Sequence, residues 1–287
     1  MGFELHRTWI VAQTELLVAG LSGGVDLRAP VPSCPGWTLG ALLRHIGGGH
    51  RWAAEIVRSR ATAFLPDGIV RDVAGDDTAA VPAAWLLEGA HELAGALGDA
   101  GPDAPVWTPF DAGGMPFWAR RFAHETLMHR ADATLAAGTP FEPATDVAVD
   151  ALDEWMELDA HPIHFDLDPA KKAILGPGRT IALRPADLPT GPDKGTGPDK
   201  GTGPDKGTGP DKGAGPDKGT GPDKGWFVDL TGDVNTWRRG AGPAAVTVHA
   251  PLRDLLLMVY RRRTPDDLSV TGDEGLLHHW LGHVAFG

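Results

Sequence analysis

Cysteine and tyrosine occur once each in the 287-residue sequence, and positive charge is in deficit. Cys34 is the single cysteine, so no intramolecular disulfide can form, which fits a reducing compartment. Asp and Glu outnumber Lys and Arg by 38 to 26, a formal net charge of −12. With a pI near 5.4, that balance denies the chain the basic footprint on which non-specific nucleic-acid binding depends. No apolar run approaches the roughly 20 residues of a membrane span. Nor does the opening stretch MGFELHRTWIVAQTELLVAG follow the basic-then-apolar layout of a signal peptide. A cytoplasmic protein without nucleic-acid or membrane partners is expected. Lysine is confined further still: outside one repeated segment only Lys171 and Lys172 occur. With abundant Ala and Gly, that bias points to GC-rich coding.

What is present is ordinary globular material, 42% apolar and 22% charged, enough to fill a core. The length suits two domains of roughly 100–200 residues, or one large one. Residues 191–225 hold six copies of Gly-Pro-Asp-Lys spaced by Gly-Thr or Gly-Ala. The period is too short for a solenoid, no large apolar side chain is available to stack, and Asp and Lys cancel within each copy. Burial cannot offset the ordering entropy of such a segment, so the GPDKGT element at 189–225 reads as a long disordered hairpin insertion.

Helical periodicity runs through 4–22, 38–60, 80–98 and 115–137, as in a four-helix bundle. A fifth helix over 145–159 carries Asp146, Asp150, Asp153 and Glu157 on one side, most simply a solvated face. Beyond residue 160, RTIALR (179–184), WFVDL (226–230), AAVTVHA (244–250) and LSVTGD (268–273) alternate as strands. A helix over 252–262 precedes the last strand, and another begins at Glu274. The fold class is therefore α+β, with a helical bundle over 1–160 and a small α+β domain over 161–287.

Chemistry concentrates on the fourth helix. Glu125 and His129 are four residues apart and share a face with Trp118 and Phe122, the core side. A carboxylate buried there needs a partner, which a metal ion or a structural hydrogen bond could supply. Asp132 follows His129 by three residues and could accept the second ring N–H. His124 and His129 are five apart, about 140° round the helix, so the metalloprotease pattern of two histidines four apart does not apply. On the second helix His45 shares a face with Leu42, Gly49 and Trp52, whereas His50 points elsewhere and reads as a surface residue. Gly47, Gly48 and Gly49 predict a bend, a close helix approach or room for a ligand. Cys34 has no His or Asp neighbour in a cysteine-enzyme pattern and reads as structural. His279 and His283 fit an amphipathic helix, His161 and His164 have no partners in the sequence, and no dinucleotide or phosphate loop occurs.

The stretches PSCPGWTLGALLRHIGGGHRW (32–52) and HETLMHRADATLAAG (124–138) resemble the mycothiol-dependent maleylpyruvate isomerase family, one of the DinB-like metal-binding four-helix bundles. The end of the chain, LLLMVYRRRTPDDLSVTGDEGLLHHWL (255–281), is similar to that family's second domain. The resemblance implies that His45, Glu125 and His129 hold a divalent metal. It also implies that Arg262 is the active-site arginine. Members often have Gly before that Arg; here the dipeptide is Arg261-Arg262, and with Arg263 alongside the register stays open. The donor set suits Zn²⁺, and equally the Fe(II) of non-haem enzymes.

The implied function is a mycothiol-dependent enzyme acting on a small molecule, with mycothiol, a low-molecular-weight thiol, as cosubstrate and an actinobacterial source. Either the thiolate adds to a cis-enoyl acid, a bond rotates and elimination follows, or it attacks an electrophile and stays attached. A metal-dependent hydrolase or lyase and a non-catalytic metal-binding regulatory module are the alternatives on the same scaffold. Replacing 191–225 by a two-residue Asn-Gly turn is expected to leave melting temperature and metal content unchanged. Loss of either on deletion, by thermal melting and metal analysis, would show that the tract packs on the domain.

Overall fold

Thr38 sets the start of the second helix: its side chain accepts from Ala41 N at 3.2 Å, capping a backbone donor that the helix leaves unpaired. In the computed structural model of the chain, which describes residues 2–66, 81–110, 113–188, 225–240 and 242–284, that helix is α2 (Leu39–Ser59). The others of the N-terminal part are α1 (Gly2–Leu21), α3 (Ala83–Ala100), α4 (Met115–Ala137) and α5 (Thr145–Asp159). Proline near the first turn opens α4, and Gly138, at φ 65, closes it in the left-handed conformation that glycine adopts freely. The expected start of the third helix at residue 80 lies outside the described residues; Pro82 precedes its first turn at Ala83.

α1 packs on α3 and α4, and α2 packs on α3 and α4, the arrangement of a four-helix bundle. Leu17, Leu39, Leu42, Leu43, Ile46 and Leu86 form one core cluster, each contributing about 1.5–3 kcal/mol by burial. α4 is buried on nearly every side, so its sequence is only weakly amphipathic. Two expectations fail because of this wrapping. His50 is 1% exposed rather than a surface residue, and its Nε2 lies 2.9 Å from Thr126 Oγ1. Burial, then the charge of Arg51, pushes its pKa down to about 3. The acidic run of α5 is not simply a solvated face either, since Asp150 and Glu154 reach inward to α4.

The chain divides into Met1–Glu154 and Trp155–Gly287, a boundary within α5. The second unit carries α6 (Ile163–Leu167), a 3-10 turn at Pro169–Ile174 and a five-stranded mixed sheet. Its strands are β1 (Thr180–Pro185), β2 (Trp226–Asp229), β3 (Thr236–Arg239), β4 (Val246–Ala250) and β5 (Ser269–Gly272), in the order β3-β2-β1-β4-β5. Among the described residues only β1 and β4 pair in parallel. β1 and β2 pair antiparallel with Leu183 opposite Trp226, so the chain leaves and re-enters the sheet as a hairpin does. The tract between them lies outside the described residues. α7 (Leu252–Val259) and α8 (Glu274–Leu281) complete the unit, giving the expected α+β class.

β3 has no apolar alternation and was not expected. Its arginines explain it: Arg238 stacks over Phe227 at 4.5 Å and Arg239 over Trp226 at 4.2 Å, each from the position directly opposite on β2. Lys171, a lysine outside the repeats, is 1% exposed. Its ammonium pairs with the Asp159 carboxylate, which also accepts from Asn235 Nδ2 at 2.9 Å. Among the described residues no helix is long and apolar enough to cross a membrane.

α2 runs without a break through the three glycines, and Gly47 marks a close approach: a Cβ there would sit 2.0 Å from the Trp85 ring. Arg51 lies over that ring at 4.2 Å and restrains it. At Gly49 a Cβ would meet Phe122 at an ordinary 3.5 Å. Gly47→Ala is expected to cost about 1–3 kcal/mol in urea denaturation, while Gly49→Ala is neutral or stabilising by up to about 1 kcal/mol. Equal effects would contradict the packing account.

Candidate metal centre

His45 comes from α2, and Glu125 and His129 from consecutive turns of α4; their donor atoms all lie within 4.8 Å of one another. His129 Nε2 is 3.0 Å and His45 Nε2 3.9 Å from the same oxygen, Glu125 Oε1. Two donors held about 2.1 Å from one tetrahedral zinc ion sit about 3.4 Å apart, so the spacing fits a shared ion without rearrangement of the helices. The donor set, two imidazoles and a carboxylate, is also chemically apt. The His45 side chain is 27% exposed, that of Glu125 40% and that of His129 12%, so the cluster opens to solvent at one side. Trp37 stands at that opening, 38% exposed, with its ring edge-on to His45 at 5.0 Å.

Behind His129 lies Asp132, 0% exposed, whose Oδ2 is 2.9 Å from His129 Nδ1. Ser33 Oγ donates to Asp132 Oδ1 at 2.5 Å and Cys34 Sγ to Oδ2 at 3.6 Å. The carboxylate thus fixes the imidazole with Nε2 directed at Glu125, the outer support that metal-binding histidines commonly have. Burial disfavours the charge on His129, yet its hydrogen bonds to Asp132 and Glu125 win and raise its pKa to about 9. Burial likewise opposes ionisation of Glu125, but hydrogen bonds from His129 and His45 and the Arg121 charge hold it well below the usual carboxylate range. The proton shared by this pair is what a divalent cation binding there would displace.

A second group, His6, His124 and Asp150, was missed at the sequence level. His6 Nε2 and His124 Nε2 lie 2.7 and 2.8 Å from Asp150 Oδ2. Arg120 clamps the same carboxylate, Nε to Oδ2 and Nη2 to Oδ1, both at 3.1 Å. The oxygen facing the two imidazoles is therefore already taken by a guanidinium, which repels a cation. In the first group Arg121 approaches only the far oxygen, Glu125 Oε2, at 3.4 Å. Burial keeps His124 neutral, lowering its pKa, and the hydrogen bonds keep Asp150 ionised despite its burial. This knot is a structural tie of α1, α4 and α5.

Residues 9–134 match the family model described as mycothiol maleylpyruvate isomerase N-terminal domain. The N-terminal segment is thus similar to that domain. A search of curated proteins finds no match. One solved structure, a double mutant of the sec-alkyl sulfatase PisA1, is similar at 15% identity and a TM-score of 0.28, over 97% of this chain. The chain spans 33% of the length of that solved chain.

In the second unit, just after α7, Arg261 has φ 62, the left-handed conformation that glycine adopts freely. Arg262 follows it. Its Nη1 donates to Tyr260 O at 2.6 Å, while Arg263 turns to Asp254 at 3.3 Å and Arg261 is exposed. His279 Nε2 is engaged 3.1 Å from the Ala173 carbonyl, and His283 Nδ1 2.9 Å from that of His279.

Alanine at His45, Glu125 or His129 is expected to remove most bound metal, measured by elemental analysis of purified protein. His124→Ala should keep the metal but lower stability by about 1–3 kcal/mol, because Asp150 loses a buried donor. Equal metal loss from His124→Ala would overturn the distinction between the groups.

Proposed function

We propose that the protein is a divalent-metal enzyme that uses a low-molecular-weight thiol of the mycothiol type to isomerise, or to conjugate, a small electrophilic substrate. The observation that carries this reading is the convergence of His45 Nε2 and His129 Nε2 on one oxygen of Glu125. The domain-family match supports the choice of thiol. A bound divalent ion, zinc by preference for this donor set, would favour the thiolate form of a thiol at neutral pH.

The chain's own residues would do the rest. Asp132 takes the Nδ1 proton of His129 in hydrogen bond and so keeps the Nε2 lone pair aimed inward. Glu125 contributes a negative charge that its surroundings hold ionised. Trp37 offers an apolar wall beside His45 at the open side. Arg262 has the planar fork suited to a substrate or thiol carboxylate, which is the role the resemblance assigns to it. Cys34 spends its S–H on Asp132 and is not the nucleophile in this reading.

The test incubates metal-loaded protein with mycothiol and a series of electrophiles and cis-enoyl acids. Turnover should require both thiol and metal, persist in Cys34→Ser, and vanish in His129→Ala. Arg262→Ala should reduce kcat/KM by an amount equivalent to about 2–5 kcal/mol if it pairs with a buried carboxylate. Equal turnover without any thiol would reassign the site to metal-assisted hydrolysis. Full metal occupancy without turnover on any substrate would favour a binding module.

A further inference from the structure

The two oxygens of Glu125 face different partners. Oε1 looks towards His129 and His45, while Oε2 lies 3.4 Å from Arg121 Nη2, one turn back along α4. Arg121 is itself anchored: its Nη1 donates at 2.6 Å to Glu154 Oε2 on α5. The Glu154 side chain is 4% exposed and that of Arg121 17%. A buried carboxylate, a half-enclosed guanidinium and the candidate ligand thus form a line, Glu154–Arg121–Glu125. Nothing in the proposed chemistry uses the first two.

We infer that Arg121, pinned by Glu154, is a positioning residue that holds Glu125 as a one-oxygen ligand. The inference rests on the reading of His45, Glu125 and His129 as the metal ligands. A carboxylate free to rotate can chelate through both oxygens and fill two positions of a small divalent ion. Occupying Oε2 with a guanidinium leaves one oxygen for the ion and a position for an incoming ligand. A guanidinium suits this task because its rigid planar fork meets two carboxylates in fixed directions, whereas an ammonium is a compact charge with freely rotating donors. The positive charge would by itself oppose a nearby divalent ion. Glu154 cancels it, so orientation is gained without a net repulsive charge.

The test uses the paired variant Arg121→Gln/Glu154→Gln, which strands no buried charge, alongside Arg121→Lys, which keeps the charge and loses the fork. Zinc affinity, read by competition with a chromogenic chelator, is expected to fall about 10–100-fold in both, the usual effect of losing an outer support. Cobalt substituted for zinc should give the strong visible absorption of a four-coordinate ion in the parent protein. In the paired variant that absorption should weaken as the freed carboxylate chelates. Affinity that is unchanged or tighter, with an unaltered cobalt spectrum, overturns the inference. His129→Ala separates the two levels: if it keeps full zinc affinity, the ligand reading itself fails rather than the role of Arg121.

Discussion

A carboxylate taken out of water must be met by donors, and that constraint organises the helical bundle around α4. Asp132, 0% exposed, draws in Ser33 and Cys34 from the loop before α2 and His129 from its own helix. On another side of the same helix, Asp150 of α5 gathers His6, His124 and Arg120. An unmet carboxylate at either place would cost several kcal/mol. Each therefore fixes not one contact but the mutual placement of several segments. The open cluster at His45, Glu125 and His129 inherits its geometry from this arrangement.

The two His-carboxylate groups are alike in composition and differ in what else touches the carboxylate. At Asp150 the oxygen shared by the imidazoles also accepts from Arg120, and the histidines are 8% and 0% exposed. Two imidazoles and a guanidinium thus meet on that one oxygen. At Glu125 the imidazole-facing oxygen is left to them, the guanidinium sits on the other, and the side chain is 40% exposed. Composition alone would rank the groups equally. The position of one guanidinium is what distinguishes the two groups.

That distinction also explains what was legible in the sequence. Glu125 and His129 could be placed together because four residues along a helix is a fixed geometry; periodicity put His45 on the side of its helix that carries Leu42 and Trp52, and the resemblance joined it to the pair. The other group needed His6, His124 and Asp150 to meet across separations such as the 144 residues between His6 and Asp150, which no local period encodes. His50 was misread because a periodic stripe reports one apolar arc, whereas α2 is covered by both α3 and α4. Gly47 was legible as a special position, but of the three explanations only the Trp85 ring decides for close approach. β3 escaped because cation–π pairing with β2, not alternation, holds its arginines.

The single cysteine completes the argument about chemistry. Cys34 lies within reach of the candidate centre, since its Sγ is 3.6 Å from the carboxylate oxygen that also holds His129. Proximity of this kind usually invites a nucleophilic role. Here the partner is an acceptor, so the sulfur serves as a donor, and a thiolate in its place would set two negative charges side by side. Removing that proton would also take a donor away from the group that orients His129. The thiol nearest the cluster is thus committed to building it. A reaction that needs a thiolate on this scaffold would have to draw it from outside the chain, and the cluster, with Glu125 40% exposed, is open to solvent.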